Sequence, residues 1–292
     1  MKPPPFEYHR PRDVEEAVRL LAELPDAKVL AGGQSLVPLL NFRLAIPEHL
    51  IDISRLTELR TLAVGSDGVR IGAAVTHAEV EQDERVATAC PLLHQAERLV
   101  AHEVIRNKGT AVGSIVHADP AGELTAVMAL LDGVAVLRSV RGTREVVAGE
   151  FFQSPFEADV AEDELAVEVR FPRLAPATGT AFEEVARRHG DYALAGCAAM
   201  LSLDAGGVIR TARLALISVG PVPIVVDLLD LAGGQTVADL DAGVVYDRVA
   251  EAVRPQPDIH ASADYRRHLA GTLAVDALTK AADRAVAPTP AA

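Results

Sequence analysis

Two short stretches of this chain carry residue types suited to holding an anion. In the first, Lys28-Val-Leu-Ala-Gly-Gly-Gln-Ser-Leu-Val-Pro38, an apolar run meets Gly32 and Gly33, adds Gln34 and Ser35, and turns apolar again. Glycine admits positive φ and close approach to the main chain. Successive N–H groups can then converge on one anion, with Gln34 and Ser35 as extra donors. A plain strand-to-loop turn fits the same residues equally well. In the second, Asn107 to Pro120 (NKGTAVGSIVHADP), Gly109 and Gly113 bracket Thr110, and Ser114 follows. Asp119 precedes Pro120 and so reads either as a helix N-cap or as a ligand contact. Glu123 falls on the first turn of that helix, near its positive end.

Neither stretch is a familiar nucleotide motif. The glycines of the first are adjacent, no third glycine follows in register, and Pro38 falls where the dinucleotide helix should run. No glycine-rich loop ends in Gly-Lys-Ser/Thr. Two anion-friendly loops on separate units suggest one ligand between them, and a dinucleotide is long enough to need both.

The elements that must position these loops follow from periodicity. Residues 11–24 place Val14, Ala17, Val18 and Leu21 at helical spacing behind Asp13 as N-cap. Strands are predicted at 28–31 and 49–54, closing a first α/β unit near residue 55. A second region offers a strand at 69–75, a capping box Thr76-His-Ala-Glu79, and a helix over 92–102. Irregular chain is expected over 106–119, then a helix from Pro120 and a strand at 134–137. A third region from about Pro176 reads as strands at 182–188, 192–203 and 208–219, with a turn at Asp204 to Gly207. Helices are expected at 224–232, 237–254 and 263–284, and a loose tail after Ala285.

Composition narrows the function. The 292 residues are 49% hydrophobic, enough for a folded protein of two or three domains. The net charge of −13 argues against nucleic acid and anionic membrane surfaces, so a phosphate must be held by local dipoles. The only cysteines, Cys90 and Cys197, are far apart, which excludes an iron–sulfur cluster held by this chain alone. They read as small buried hydrophobes, and a cytoplasmic compartment fits, with no signal peptide or membrane span expected. His94, His102 and His117 form no HxxxH pair, and no metal site is expected. Arg187 and Arg188 read as an ion-paired edge or an anion clamp, and Lys108 as a solvated lysine or a counter-charge.

The segments AGGQSLVPLLNFRLAIPEHLIDIS, IRNKGTAVGSIVHADPAGEL and ARRHGDYALAG, in this order, resemble the FAD-binding medium subunit of molybdenum hydroxylases of the aerobic carbon monoxide dehydrogenase and xanthine dehydrogenase type. VGPVP (219–223) and DYRRHLAGTLAVDAL (264–278) extend the resemblance over nearly the whole chain. It implies an α+β fold with FAD held between two α/β subdomains, 1–55 and 56–175, of vanillyl-alcohol-oxidase type. A C-terminal α/β domain of the carbon monoxide dehydrogenase flavoprotein type spans 176–286, with a loose tail at 287–292. It implies FAD contacts from Val29, Leu30, Ala31, Gly32, Gly33, Gln34, Ser35 and Leu36, and from Thr110, Ala111, Val112, Gly113 and Ser114. His117, Asp119, Glu123, Asp191 and Tyr192 complete the set, Tyr192 beside the isoalloxazine.

The resemblance also implies partners: a large molybdopterin subunit and a small two-iron, two-sulfur subunit, assembled as a dimer of heterotrimers. Electrons would pass from the clusters through FAD to an external acceptor, with no catalytic acid or base on this chain. The alternatives are a stand-alone FAD oxidoreductase with its own substrate, or an assembly protein without FAD. One departure stands out: the family usually has two adjacent glycines in the second loop, where this chain has Val112-Gly113. A valine there is expected in an extended conformation or in a shifted loop, and Val112→Gly is expected to leave flavin affinity equal or tighter.

Overall fold

The structure, a computed structural model, describes residues 2–286, so the expected tail at 287–292 lies outside the described residues. The first unit holds β1 (Glu7–His9), α1 (Val14–Glu23), β2 (Ala27–Leu30), α2 (Leu36–Phe42) and β3 (His49–Asp52). The three strands form a parallel sheet in the order β1-β3-β2. The Asp13 side chain accepts from the Glu16 amide at 2.8 Å, starting α1 with Val14, Ala17, Val18 and Leu21 buried. The edge strand β1 is too short to show periodicity in the sequence. Pro38 does not interrupt α2. It sits in the first turn, where an N–H has no helical acceptor to lose.

The second unit opens with β4 (Leu62–Val64), β5 (Gly68–Gly72) and a run of short helices: α3 (His77–Gln82), α4 (Glu84–Ala89), α5 (Pro91–Glu97), α6 (Glu103–Arg106), α7 (Ala111–His117) and α8 (Glu123–Leu130). The chain then forms β6 (Val134–Ser139), β7 (Gly142–Val147), α9 (Ala148–Phe151), the small pair β8 (Phe152–Ser154) and β9 (Glu157–Ala158), and β10 (Leu165–Pro172). The main sheet, β4-β5-β10-β6-β7, is antiparallel throughout. Thr76 and Glu79 make the predicted capping box at α3.

Two expectations fail here. The helix expected over 92–102 stops at Glu97, and the chain turns through Ala101 at φ 46°. The stretch expected to be irregular over 106–119 contains α7. Thr110 caps it: its hydroxyl accepts from the Gly113 amide at 3.2 Å. The glycine there suggested a loop, but the cap and the burial of Ala111, Val112 and Ile115 outweigh one helical glycine. Residues 124–130 of α8 are all buried, which makes this helix the centre of the core.

The third unit is an antiparallel sheet β11-β12-β13-β14 of Thr178–Ala186, Ala193–Leu203, Ile209–Ile217 and Ile224–Asp227, followed by α10 (Leu229–Ala232), α11 (Ala242–Ala252) and α12 (Ala263–Val286). The helix expected over 224–232 is instead strand β14 and the single turn α10. The β-branched run Ile224-Val-Val pairs along β13, and tertiary pairing decides. Alternation gives this sheet two apolar faces. Cys197, Ala199, Leu214 and Leu216 share a core with α11 and α12, whereas Phe182, Ala198, Ala215 and Ile217 join the core of the first two units.

Candidate functional site

The first glycine loop leaves β2 at the C-terminal end of the parallel strands, the end at which open parallel sheets usually bind ligands. Val29 and Leu30 belong to β2 and pair with Ile51 and Asp52. Gly33 takes φ +72°, a left-handed conformation that other residues adopt at a cost. Among the described residues, the amides of Gly32, Gly33, Gln34, Ser35 and Leu36 donate to no protein acceptor. Ser35 sits before α2 without capping it. A run of unused donors on half-buried backbone suits an anion.

The second loop meets the first directly. A Cβ on Gly32 would lie 2.3 Å from the Lys108 carbonyl oxygen and 2.6 Å from the Gly109 Cα. A Cβ on Gly113 would stand 2.5 Å from the Thr110 hydroxyl oxygen and 4.0 Å from the Ala31 Cβ. The two loops therefore meet along a seam and not across a gap. The second loop is also tied down. The Ala111 amide donates to the Val75 carbonyl (3.2 Å), the His77 amide donates to the Gly109 carbonyl (3.0 Å), and the Ser114 amide donates to the Thr110 carbonyl (3.0 Å). The Thr110 and Val112 amides have no protein acceptor among the described residues. Val112 is not extended: it is helical and 2% exposed, with its side chain in the core.

Behind the seam lie ionisable groups. The His77 Nδ1 is 2.7 Å from the Glu97 Oε2, and both side chains are buried. Burial pushes the Glu97 carboxyl up, and the His77 charge pulls it back. Glu123 starts α8, where burial pushes it up to about 7. The backbone amide and His77 lower it, and Glu97 and Asp119 raise it. Glu184 on β11 shares the phase of Phe182 and faces the first two units. Burial and the Glu123 charge push it up to about 8, and its Oε2 has no partner among the described residues. Tyr192 is 72% exposed, yet its hydroxyl is pushed up by partial desolvation and by the charges of Asp119 and Glu123.

The structure thus brings Tyr192 of the third unit within the electrostatic influence of Asp119 and Glu123 of the second. Asp119 does not cap α8, whose N-cap is Gly122. Its carboxylate accepts from the Ala121 amide at 2.9 Å, closing the turn before the helix. Pro120 and Ala121 belong to that turn, so the helix begins later than Pro120 suggests. His117 packs against Phe156 with ring centroids 5.2 Å apart, and desolvation lowers its pKa. Asp191 is exposed, and its amide donates to the Arg188 carbonyl. Sequence reasoning missed His77, Glu97 and Glu184. A signal existed for Glu184, a charged residue on the apolar phase of a strand, but none for a pair formed across α3 and α5.

Other singled-out residues resolve simply. Cys90 and Cys197 are buried, and burial pushes the Cys90 thiol up to about 12. Arg187 contacts His260 at 2.9 Å, and among the described residues neither Arg187 nor Arg188 pairs with a carboxylate, so the ion-paired edge is absent there. Lys108 is exposed, and its carbonyl, not its ammonium, meets the first loop.

Comparison with known proteins covers the chain end to end. Residues 4–174 match a family described as the FAD binding domain in molybdopterin dehydrogenase, and residues 180–281 match the CO dehydrogenase flavoprotein C-terminal domain. The carbon monoxide dehydrogenase medium chain of Hydrogenophaga pseudoflava is 37% identical over 96% of this chain and 98% of its own. The 6-hydroxypseudooxynicotine dehydrogenase complex subunit alpha of Paenarthrobacter nicotinovorans is 38% identical over 98% and 97%. Among solved structures, the H. pseudoflava carbon monoxide dehydrogenase lacking the Mo-pyranopterin moiety superposes with a TM-score of 0.93 at 37% identity, covering 97% of this chain and 99% of that one. Quinoline 2-oxidoreductase from Pseudomonas putida 86 gives 0.91 at 36% identity, over 98% and 100%.

Proposed function

This chain belongs to the FAD-binding medium subunits of the molybdenum hydroxylases, and on that premise we propose that it carries electrons within such a complex. Bound FAD would supply the redox chemistry of this role, a carrier between the iron–sulfur clusters of a small partner and an external acceptor. The chain's own residues fit that group. The unused amides from Gly32 to Leu36 face an anion's needs, and they suit the pyrophosphate of a dinucleotide in a protein of net charge −13. Ala31 and Gly113 close the seam beneath it, and Gln34, Ser35 and Ser114 add side-chain donors. Tyr192 offers an aromatic face for one side of the isoalloxazine. Glu123 holds or releases a proton near neutral pH beside it.

The proposal divides the chain as its sequence suggests: subdomains 1–55 and 56–175 hold the flavin, and 176–286 packs alongside. A large molybdopterin subunit and a small two-iron, two-sulfur subunit complete a dimer of heterotrimers in the cytoplasm. Among the described residues, no helix is long and apolar enough to cross a membrane. Phe42, at the C-terminal end of α2, and Leu44 and Ile46 just after it are 63%, 76% and 66% exposed, an apolar patch that fits a surface covered by another chain.

The observation that carries the reading is the run of free amides seated on the backbone of the second loop, in a chain related to this family along its whole length. The test is co-expression with the large and small partners. One FAD per chain and flavin bleaching by the complex's substrate are expected. A colourless chain within an assembled, active complex would overturn the reading. One observation leans towards a stand-alone oxidoreductase: Glu123, at about 7, has the pKa of a general base. Bleaching of the isolated flavoprotein by a small organic substrate would favour it.

A further inference from the structure

At the end of the parallel sheet opposite the glycine loop, three potential ligands converge on one point. Glu7 and His9 lie two apart on β1 and so share a face, and Glu7 pairs in register with His49 on β3. The His9 Nε2 is 3.0 Å from the His49 Nδ1. The Glu7 Oε2 is 3.6 Å from the His49 Nδ1 and 3.9 Å from the His9 Nε2. We propose that Glu7, His9 and His49 bind a borderline divalent cation of the zinc class, clipping the edge strand β1 to β3.

The donor spacing fits a shared ion. Tetrahedral zinc with ligands at roughly 2.0–2.1 Å places neighbouring donor atoms about 3.3–3.5 Å apart. The three separations bracket that range. A hydrogen bond between the two imidazoles would use one ring proton and leave the exposed Glu7 carboxylate, beyond hydrogen-bond reach of both rings, to solvent. A shared cation satisfies all three atoms at once. Two imidazoles and one carboxylate form a donor set that suits zinc and its neighbours better than calcium or magnesium. Both histidines are half-buried and Glu7 is exposed, so a fourth position is open to water. Because β1 is three residues long and pairs only with β3, a bridge between the strands adds most where the sheet is weakest. The sequence could not reveal this site, because His49 lies forty residues from His9.

The test uses the full-length, tag-free protein with its flavin, stripped of metal by chelation and dialysis and titrated with Zn²⁺ by calorimetry. Co²⁺ serves as a visible-absorbance probe of imidazole ligation. One equivalent is expected to bind, with a rise in Tm by mass action and an unchanged FAD-to-protein ratio. His9→Ala and His49→Ala are expected to remove that equivalent. Glu7→Gln is expected to weaken it at least about tenfold, the loss that follows even removal of an outer-shell partner. Zn²⁺ binding in wild type no tighter than in His49→Ala would overturn the site. If the histidine variants fold poorly, the exposed Glu7→Gln decides: unchanged affinity there would equally overturn it.

Discussion

The two glycine loops look alike in sequence and are built in opposite ways. The first keeps five consecutive amides, Gly32 to Leu36, free of protein acceptors among the described residues, and it holds Gly33 at φ +72°. The second spends most of its donors on itself: Thr110 caps α7, the Ala111 amide reaches Val75, and Val112 fills the core. The first loop is therefore the one with donors left to offer, and the second is the surface against which it is set. On the proposed function, a glycine in the first would serve the ligand and the seam, whereas the second loop's residues serve stability. Substitutions at matched places should separate flavin retention from fold stability.

The largest effect is expected at Gly32→Val. A Cβ there falls within 2.3 Å of a backbone oxygen, which cannot move aside as a flexible side chain can. The loops must part, and flavin retention after desalting should fall to near zero while circular dichroism still reports the folded sheets. Gly33→Ala should do less. Its Cβ would meet only the Leu30 and Val37 side chains at 3.2 Å, and the positive φ costs about 1–2 kcal/mol. Full FAD occupancy in Gly32→Val would erase the distinction between the loops.

Val112→Gly comes next, and its expected cost falls on stability, a quantity separate from the flavin affinity that the sequence expectation addressed. Removing a buried valine side chain costs about 2 kcal/mol and placing glycine in a helix about 1 more. Chemical denaturation of the flavin-free chain should report a loss of about 3 kcal/mol. A neutral result would mean that α7 is not anchored through this residue.

The second side of the seam should also govern the pH response. Glu123 and Glu184 are pushed up to about 7 and about 8 from an ordinary 4.5, so the folded chain binds protons that the unfolded chain has released. Their contribution is complete below about pH 4.5 and is lost as pH rises through their folded values. Between those limits the stability of the flavin-free chain should fall by up to about 1.4 kcal/mol per pH unit per group. Glu184→Gln should flatten the upper part of that curve. An unchanged slope in denaturation midpoints across the range would remove Glu184 as a titrating group.

Legibility in the sequence followed the range of the interactions. The cap at Asp13, the box at Thr76 and Glu79 and the long helix of the third unit are local, and their residues announce them. In the first loop the adjacent glycines announced the break after β2 and the backbone freedom that Gly33 uses at φ +72°. The second was misread as irregular because its glycines hid a cap that closes within three residues. Strand β14 was mistaken for a helix because only pairing with β13 makes Ile224-Val-Val extended. The His77–Glu97 pair was out of reach, since it depends on which two helices pack together, whereas the phase of Glu184 on its strand was a signal left unread.

The smallest effect, and the sharpest test of the comparison, is expected at Thr110. Its hydroxyl is already occupied as the acceptor for the Gly113 amide, and the residue is 5% exposed. If that cap is its whole duty, Thr110→Ala should cost about 1 kcal/mol of stability, the usual value of a helix N-cap, and Thr110→Ser should restore it. Flavin affinity should change less than about threefold, because a loss of under 1 kcal/mol in binding is all that a slightly frayed α7 would transmit. Denaturant midpoints and a flavin fluorescence titration on the same preparations separate the two quantities. If affinity collapses while stability holds, the hydroxyl points at the ligand in solution, and the second loop grips as the first does.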